Sequence, residues 1–328
     1  MQEMLLEAGV QIQLYTFASD AIVENNQLKG IIIESKSGRE AIMGKVVIDC
    51  TGDGDIAAKA GANFIKGRES DGLMQPMTLM FKVGGVDYSR AVFPYGFEDH
   101  IALPKGDIQA LGKQNIPHPA GHVLLYHTSV DGVVTCNMTN CTGVDGTRAE
   151  DLTKAEFQCR SQIPYIIRFL REFVPGYENA YLMSSASIVG VRETRHFEGE
   201  YTFNEYDILE GTEFEDWAVK GAWFGFDVHN LTGAGLDKTG VQKEFKQKAS
   251  YMMPYRCLVP KKIDNLLLAG RNISGTHLAH SSYRVMPICV GMGHAAGVAA
   301  ALCAKSEVTP RALDVKKMQE ILAKEGVD

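Results

Sequence analysis

The sequence lacks the short motifs that mark three large classes of enzyme. It contains no Gly-x-Ser-x-Gly elbow, no His-Glu-x-x-His segment and no Walker loop. The usual sequence motifs of nucleophilic hydrolysis, zinc proteolysis and phosphoryl transfer are therefore absent. Its seven cysteines include no Cys-x-x-Cys pair, which favours free thiols in the reducing cytoplasm over a disulfide framework.

Positive charge and long apolar runs are also scarce. The 33 Lys and Arg residues stand against 40 Asp and Glu residues, a net charge of −7, so the chain has no general attraction to nucleic acid or anionic membrane. No apolar run approaches the about 18 residues that a membrane span needs, and no signal segment opens the chain. We therefore expect neither nucleic acid nor a membrane as partner.

What is present indicates an α/β protein large enough for two domains. The chain has 328 residues, 45% of them hydrophobic, which suffices for two domains or for one domain with a large insertion. Two nearly continuous apolar runs, 45–50 and 265–269, predict strands buried on both faces, and each ends at a glycine turn. The sequence between about 64 and 260 is rich in predicted β-strands. The simplest interpretation is an α/β domain interrupted by a second domain.

Other elements follow from periodicity and punctuation. Helices are predicted over 2–7, 149–174, 287–304 and after Asp314, with a kink or break at Pro164. Further strands are predicted over 10–14, 21–24, 28–35, 41–42, 78–83, 122–127, 133–138 and 180–191.

The segment 52–57 follows the first buried run and fits the Gly-x-Gly-x-x-Ala pattern of dinucleotide-binding loops. Its carboxylates, Asp53 and Asp55, would repel a pyrophosphate, and no acidic strand end lies about 20 residues further on. Two interpretations stay open. The segment is either a tight turn that begins an acidic helix, or a loop that faces a cofactor without being its main phosphate loop.

Histidines and an arginine follow the second buried run. His277, His280 and Arg284 are predicted in a loop at the carboxyl end of that strand, where ligands bind in α/β folds. A structural role for the histidines is equally open, and no nearby cysteine or carboxylate set completes a metal site. Pro287 then opens a helix whose positive end suits a bound anion.

The segment 191–195 is predicted to alternate at the end of a strand. Arg192 and Thr194 would share one face, with Glu193 and Arg195 on the other. The segment is either a solvated edge with ion pairs or the wall of a substrate cleft in which an arginine holds a carboxylate or a reacting oxygen. A weaker metal candidate combines three histidines: His118, His122 and His127.

Four segments together resemble the FAD-dependent oxidoreductase family of the glutathione-reductase-like superfold. They are VVIDCTGDGDIAAKAGA (46–62), GVRETRHFEGEY (190–201), PYRCLVPK (254–261) and NLLLAGRNISGTHLAHSSYRVMPICVGMGHAAGVAAALCA (265–304). The resemblance implies an incomplete Rossmann-type FAD-binding domain over 1–63 and 261–328. It also implies an inserted α+β substrate domain, of mainly antiparallel sheet, over 64–260.

The resemblance also implies positions for FAD contacts. The nucleotide side would be lined by Thr51, Gly52 and Asp53. The turn that meets the pyrophosphate and ribityl chain would be formed by Gly270, Arg271 and Asn272. A helix start near the flavin pyrimidine edge, where it stabilises negative charge on the reduced ring, would be formed by Met286, Pro287 and Ile288.

Catalytic candidates follow from the same resemblance. Three residues, His277, His280 and Arg284, would stand near the isoalloxazine ring, with Arg192 and Arg195 across the cleft. These groups would move a proton or stabilise charge.

The chain departs from the family's pattern ahead of Val10. Members begin with a strand, a Gly-x-Gly-x-x-Gly loop and a helix that seat the ADP half of FAD, and no such loop precedes Val10. The chain therefore resembles an N-terminally truncated member with weakened FAD binding. Exposed sheet edges would favour a homo-oligomer or a second chain that supplies this unit.

Three functional hypotheses follow. The first is hydride transfer between a small organic substrate and FAD. The second is a cofactor-free fragment that acts as a binding or partner subunit. The third is a nicotinamide-dependent enzyme that uses the loop at 52–57. The sequence names neither the substrate nor the electron acceptor.

Overall fold

The computed structural model describes residues 1–96, 99–237 and 247–327. Its helices are α1 (Gln2–Glu7), α2 (Asp55–Lys59), α3 (Ile108–Asn115), α4 (Ala149–Phe173), α5 (Glu205–Glu210), α6 (His277–Tyr283), α7 (Met286–Ser306) and α8 (Val315–Lys324), with 3₁₀ turns at Tyr255–Leu258 and Pro310–Ala312. The strands are β1 (Thr16–Glu24), β2 (Gln27–Ser35), β3 (Gly38–Met43), β4 (Val47–Asp49), β5 (Phe64–Lys66), β6 (Phe81–Gly84), β7 (Ala102–Leu103), β8 (Gly106–Asp107), β9 (Leu125–His127), β10 (Val134–Cys136), β11 (Tyr181–Ser185), β12 (Arg195–Phe197), β13 (Trp217–Ala222), β14 (Tyr251–Pro254) and β15 (Leu266–Leu268).

The fold is mixed α/β, and most of its strands pair antiparallel. β1–β3 form one antiparallel sheet, and a second has the order β11-β6-β10-β9. Strands β4 and β15 pair parallel, with Val47 opposite Leu266 and Asp49 opposite Leu268. Because the carboxyl ends of parallel strands lie side by side, the two glycine turns that follow these strands meet at one edge.

Two hydrophobic cores are present. The first surrounds β4 and β15 and includes α2, α7 and residues of 197–259 such as Phe203 and Tyr251. The second lies between the β11-β6-β10-β9 sheet and helices α3 and α4. The predicted division into domains at 63/64 and 260/261 stays a prediction.

Several predicted elements are confirmed. The β1–β2 hairpin, the two buried strands, α1, α2, α4, α7 and α8 lie where the patterns put them. Helix α4 buries the predicted face and continues through Pro164 without a break. A break at Pro164, one of the two predicted effects, is therefore wrong. All seven cysteines are free thiols.

Two further local predictions are wrong. Residues 10–14 form no strand, because within the described residues no neighbouring strand supplies them with ladder hydrogen bonds. His277 and His280 lie on α6 and not in a loop. That helix begins where the Thr276 side chain accepts a hydrogen bond from the Ala279 N–H at 3.2 Å, which is an N-cap.

Helix α7 corrects the expectation that no segment could span a membrane. By length and composition alone, Met286–Ser306 is long and apolar enough to do so. One face, which includes Ile288, Met292 and Ala296, is buried in the first core. On the other face Met286 is 82% exposed and Val290 71% exposed. The packed face is that of a core helix in a folded protein, and the other face is an exposed apolar surface.

Candidate functional site

Asp49, at the end of β4, holds the glycine loop that follows it. Its buried carboxylate accepts hydrogen bonds from the Thr51 N–H at 3.0 Å, the Thr51 hydroxyl at 2.7 Å and the Ala57 N–H at 2.8 Å. Gly52 and Gly54 have φ values of +81° and +65°, which side chains other than glycine rarely adopt. The glycine pattern is thus explained by a tight turn that closes on its own strand.

The turn after β15 is fastened to this loop. The Asn272 side-chain amide donates to the Asp49 carbonyl at 2.9 Å. Arg271 donates to Asp53 Oδ1 at 2.9 Å and to the Val191 carbonyl at 2.6 Å. A Cβ on Gly52 would lie 2.6 Å from Arg271 Nη2, so a glycine at this position lets the guanidinium cross the loop.

Each of the two carboxylates of the loop forms an ion pair with an arginine. Asp53 also accepts a hydrogen bond from the Thr194 hydroxyl at 2.8 Å, and Arg195 Nη1 lies 2.8 Å from both the Asp53 carbonyl and Asp55 Oδ1. Burial raises the pKa of Asp53, and Arg271 and Thr194 offset part of that rise. The arginines therefore supply the positive charge that the bare Gly-x-Gly-x-x-Ala segment lacks.

The predicted alternation over 191–195 is wrong. Thr194 and Arg195 are neighbours and both contact the glycine loop, because residues 191–194 are irregular and strand geometry begins only at β12. Arg192, Glu193 and Thr194 are all buried, so the solvated-edge interpretation is wrong too.

Glu193 is the centre of a buried carboxylate–histidine set, called here the glutamate group: Glu193, His196, His277 and His280. Glu193 Oε1 accepts hydrogen bonds from His196 Nε2 at 2.8 Å and from His277 Nδ1 at 2.7 Å, and Oε2 accepts one from the Gln75 N–H at 2.9 Å. Burial opposes ionisation of Glu193, but the hydrogen bonds from the two histidines outweigh it and hold the pKa of the carboxyl well below its usual range. The His280 ring packs edge-on against His196 at 4.9 Å between centroids.

This group also contains a possible metal-ligand set. Ligand atoms of Glu193, His196 and His280 lie within 4.8 Å of one another, the one such set among residues 1–96, 99–237 and 247–327. The statement that no carboxylate completes a site beside the two helical histidines is therefore wrong, and the trio of His118, His122 and His127 forms no such set in those ranges. Glu193 already accepts hydrogen bonds from two histidines, whereas one ring nitrogen of each histidine, His196 Nδ1, His277 Nε2 and His280 Nδ1, is buried without a partner. The absence of a metal stays a prediction.

A second set, called here the arginine group, consists of Gln75, Arg192, Asp227 and Arg284, with Gln75 and Arg192 buried and Asp227 partly exposed. Arg284 Nη2 donates to Asp227 Oδ2 at 2.9 Å and to the Asp227 carbonyl at 3.0 Å, and it lies 3.4 Å from Gln75 Oε1. Arg192 Nη1 donates to the Pro76 carbonyl at 2.6 Å. His229 Nε2 lies 3.3 Å from Asp227 Oδ2, which places two basic side chains around one carboxylate.

The start of α7 is open beside these groups. Met286 and Pro287 are exposed, whereas Ile288 is buried. The first N–H groups of any helix lack intrahelical partners and carry partial positive charge. Arg284, the C-cap of α6, stands immediately before this helix start.

These residues fit a ligand with anionic and hydrogen-bonding groups, as FAD has. Arg271 Nε and Asn272 Oδ1 are buried without a hydrogen-bond partner, Gly270 has φ +109°, and α7 begins nearby. By contrast, the side chains of Thr51 and Asp53 already form hydrogen bonds with Asp49, Arg271 and Thr194. These two residues could therefore contact FAD only through their backbone atoms. Direct contact of these residues with FAD stays a prediction.

A family comparison agrees with the whole pattern. The model of a family described as FAD dependent oxidoreductase matches residues 1–322. The chain belongs to this family. FAD-dependent oxidoreductases use FAD as their redox cofactor, so the resemblance found in four segments is confirmed over almost the whole chain. No curated protein sequence matches it.

Solved structures resemble this chain only weakly. A geranylgeranyl bacteriochlorophyll reductase-like protein from Thermoplasma acidophilum is 10% identical, with TM-score 0.45, over 98% of this chain and 57% of that one. A triple mutant of the flavin-dependent brominase Bmp2 is 11% identical, with TM-score 0.43, over 98% and 58%. L-proline dehydrogenase from P. horikoshii is 13% identical, with TM-score 0.34, over 92% and 52%. The chain thus spans little more than half the length of each.

Sequence reasoning placed the arginines and histidines but missed their partners. Asp49 had a signal, since an acidic residue at the end of a buried strand before Thr-Gly can cap the following turn. Gln75, Asp227 and His229 had none, because they lie in irregular segments with no periodicity.

Proposed function

We propose that this chain is the larger part of a flavin-dependent oxidoreductase that acts on a small organic substrate beside the start of α7. Family membership supports the cofactor, and one observation supports the location. The glutamate and arginine groups lie buried at the carboxyl ends of the parallel strands, next to an open helix N-terminus. Protein interiors rarely hold this many charged groups unless the groups are paired or used.

FAD would supply a two-electron centre that accepts or returns a hydride. On this proposal, Arg271, Asn272 and the first turn of α7 hold the cofactor through hydrogen bonds and positive charge. The arginine group holds the substrate, and desolvation at these buried residues strengthens each charged contact.

The proton that accompanies hydride transfer needs a base. His277 Nδ1 donates to Glu193, so in the neutral ring Nε2 carries the lone pair, and this atom is buried without a partner. Burial holds the pKa of His280 well below its usual value, so that ring is neutral. We assign His277 Nε2 as the first candidate to take a proton from the substrate, with Glu193 fixing its tautomer.

The test is an absorption spectrum of the purified chain after FAD is added and unbound flavin is removed. A retained flavin band, bleached anaerobically by a substrate, supports the proposal. Arg284→Gln and His277→Gln should then retain flavin but slow its reduction by substrate. Wild-type reduction rates in both variants would contradict the two assignments, and absence of a flavin band would contradict cofactor binding by this chain alone.

We propose further that a second chain completes the FAD site with a strand–glycine loop–helix unit. Among the described strands β4 pairs with β15 alone, whereas parallel sheets are normally larger and covered on both faces. The exposed face of α7, with Met286 and Val290, offers an apolar surface for such a unit. Mass measurement of the native protein distinguishes this arrangement from a homo-oligomer of identical chains.

The cofactor-free alternative predicts a different result. A chain that acts only as a binding subunit stays colourless with FAD but still forms a complex through the α7 face. Val290→Asp should abolish that complex and leave the monomer folded, because the residue is exposed.

A further inference from the structure

The arginine group holds two buried guanidinium groups around one carboxylate. Arg192 is 8% exposed, and Arg284 is also largely buried. In the described part of the chain, Asp227 is the one carboxylate hydrogen-bonded to either of them. The next carboxylate, Glu193, is occupied on both oxygens by His196, His277 and the Gln75 backbone. Glu193 balances one guanidinium in charge but accepts a hydrogen bond from neither, so the guanidinium N–H groups outnumber their carboxylate acceptors.

Gln75 and Arg284 each have a buried hydrogen-bond donor without an acceptor. Gln75 is 1% exposed. Its Oε1 accepts from the His229 N–H at 3.3 Å and from Arg284 at 3.4 Å, which fixes the orientation of the amide. Gln75 Nε2 and Arg284 Nε are then buried donors without a partner. Each unsatisfied buried donor is unfavourable, so an incoming acceptor would stabilise the group.

The neighbouring histidines add no positive charge at neutral pH. Burial, then His229 and Arg192, lower the pKa of His122 to about 3. Burial and then Arg192 lower the pKa of His229 to about 4, although Asp227 opposes the shift. Arg192 keeps its charge, because burial and Arg284 lower its pKa only to about 10. The charged groups here are thus the two guanidinium groups and the carboxylates of Asp227 and Glu193.

We propose that Arg192, Arg284 and the Gln75 amide bind a carboxylate of the substrate, so that the enzyme acts on an organic acid. This inference rests on the proposed function and names its substrate class. The unpartnered donors Gln75 Nε2 and Arg284 Nε need an acceptor, and the planar guanidinium offers paired N–H donors to a carboxylate. Arg284 immediately precedes α7, so the bound acid would lie beside the proposed flavin position.

Thermal unfolding with matched ligand pairs tests the proposal without FAD. Benzoate and succinate are compared with benzamide and succinamide at constant ionic strength. We expect the carboxylates to raise the melting temperature saturably and the amides to leave it unchanged. Arg192→Gln and Gln75→Leu should weaken carboxylate binding about tenfold or more, since each removes a charge-assisted or buried hydrogen bond. The control, Arg39→Gln, removes an exposed arginine on β3 and should bind as wild type does.

Other outcomes overturn the proposal. These are equal shifts with amides, no shift with either carboxylate on the order of 100 mM, a larger shift with inorganic phosphate, or unchanged carboxylate binding in both variants. If either variant fails to fold, Gln75→Glu replaces it, because it keeps the side-chain shape and should abolish carboxylate binding by repulsion. Flavin retention is read from absorbance on separate samples. Carboxylate binding without flavin retention contradicts the proposed function alone, and flavin retention without carboxylate binding contradicts this inference alone.

Discussion

The glutamate group and the arginine group are joined through Gln75, but they satisfy their buried polar atoms differently. In the glutamate group, one carboxylate accepts three hydrogen bonds from two histidines and a backbone N–H. In the arginine group, Asp227 accepts from Arg284, Arg192 donates to a backbone carbonyl, and Gln75 Nε2 and Arg284 Nε are left without acceptors. In the first group one ring nitrogen of each histidine also lacks a partner. The comparison teaches that the fold supplies the first group with a central acceptor, whereas the second group lacks an acceptor for two of its donors.

The largest expected effect is loss of the glutamate group's centre. Glu193→Ala leaves His196, His277 and the Gln75 N–H without their acceptor, so we expect the free energy of unfolding to fall by about 3–5 kcal/mol. Urea unfolding measures the change. Glu40→Ala, at an exposed position on β3, is the control and should change it by less than about 0.5 kcal/mol. A loss below about 1 kcal/mol in Glu193→Ala would show that the group does not hold the fold.

Asp49→Ala is the second expected effect, because it removes the acceptor that closes the glycine loop. Two buried or partly buried N–H groups and one hydroxyl lose their partner, so we expect a loss of about 1–3 kcal/mol in unfolding free energy. Asp314→Ala is matched to it, since Asp314 precedes α8 without a side-chain cap hydrogen bond. Equal losses in the two variants would contradict the role given to Asp49.

Acid should weaken the fold through the histidines beside the arginine group. His122 and His229 have pKa values lowered from 6.5 to about 3 and about 4 in the folded protein. The unfolded chain therefore binds more protons, and their contribution to stability, complete above pH 6.5, is lost as the pH falls toward those values. The slope is about 1.4 kcal/mol per pH unit for each histidine.

Unfolding free energies at a series of pH values in wild type, His122→Gln and His229→Gln measure this effect. Each variant should show a shallower decline on acidification than the wild-type chain. Parallel profiles in all three proteins would mean that these histidines do not stay neutral when the chain folds.

The smallest expected change in stability comes from Arg192→Met. Its side chain has one described hydrogen bond, to the Pro76 carbonyl, and an apolar chain of similar length removes a buried charge. We expect the unfolding free energy to stay within about 1 kcal/mol of wild type, while carboxylate binding is lost. A loss as large as that of Glu193→Ala would erase the contrast between the two groups.

Much of the local structure was predictable from the sequence. The two buried runs, the hairpin and the long helices have strong periodicity or glycine punctuation, and the structure contains them. The strand at 10–14 was wrong because alternation alone does not supply a pairing partner. The alternation at 191–195 failed for a related reason, since the chain there follows contacts with Asp53 and His277 and not a sheet ladder.

The candidate site was predictable in part. Gly52, Asp53, Arg271 and Asn272 meet as the pairing of β4 with β15 requires. Arg284 immediately precedes α7, and the position of both beside the flavin stays a prediction. The roles of Glu193 and Gln75 were not predictable, because a buried glutamate and a buried glutamine look like ordinary surface residues in a sequence.

The sequence by itself determined the family, the two buried strands and the glycine turns, since these depend on neighbouring residues and on backbone conformation. The tertiary structure alone decided which charged groups are paired and which buried donors are left without an acceptor. Glu193 and His277 are 84 positions apart, and Arg271 and Asp53 are 218 apart. Hydrogen bonds act over about 3 Å, so partners so distant in sequence are settled only when packing brings them together.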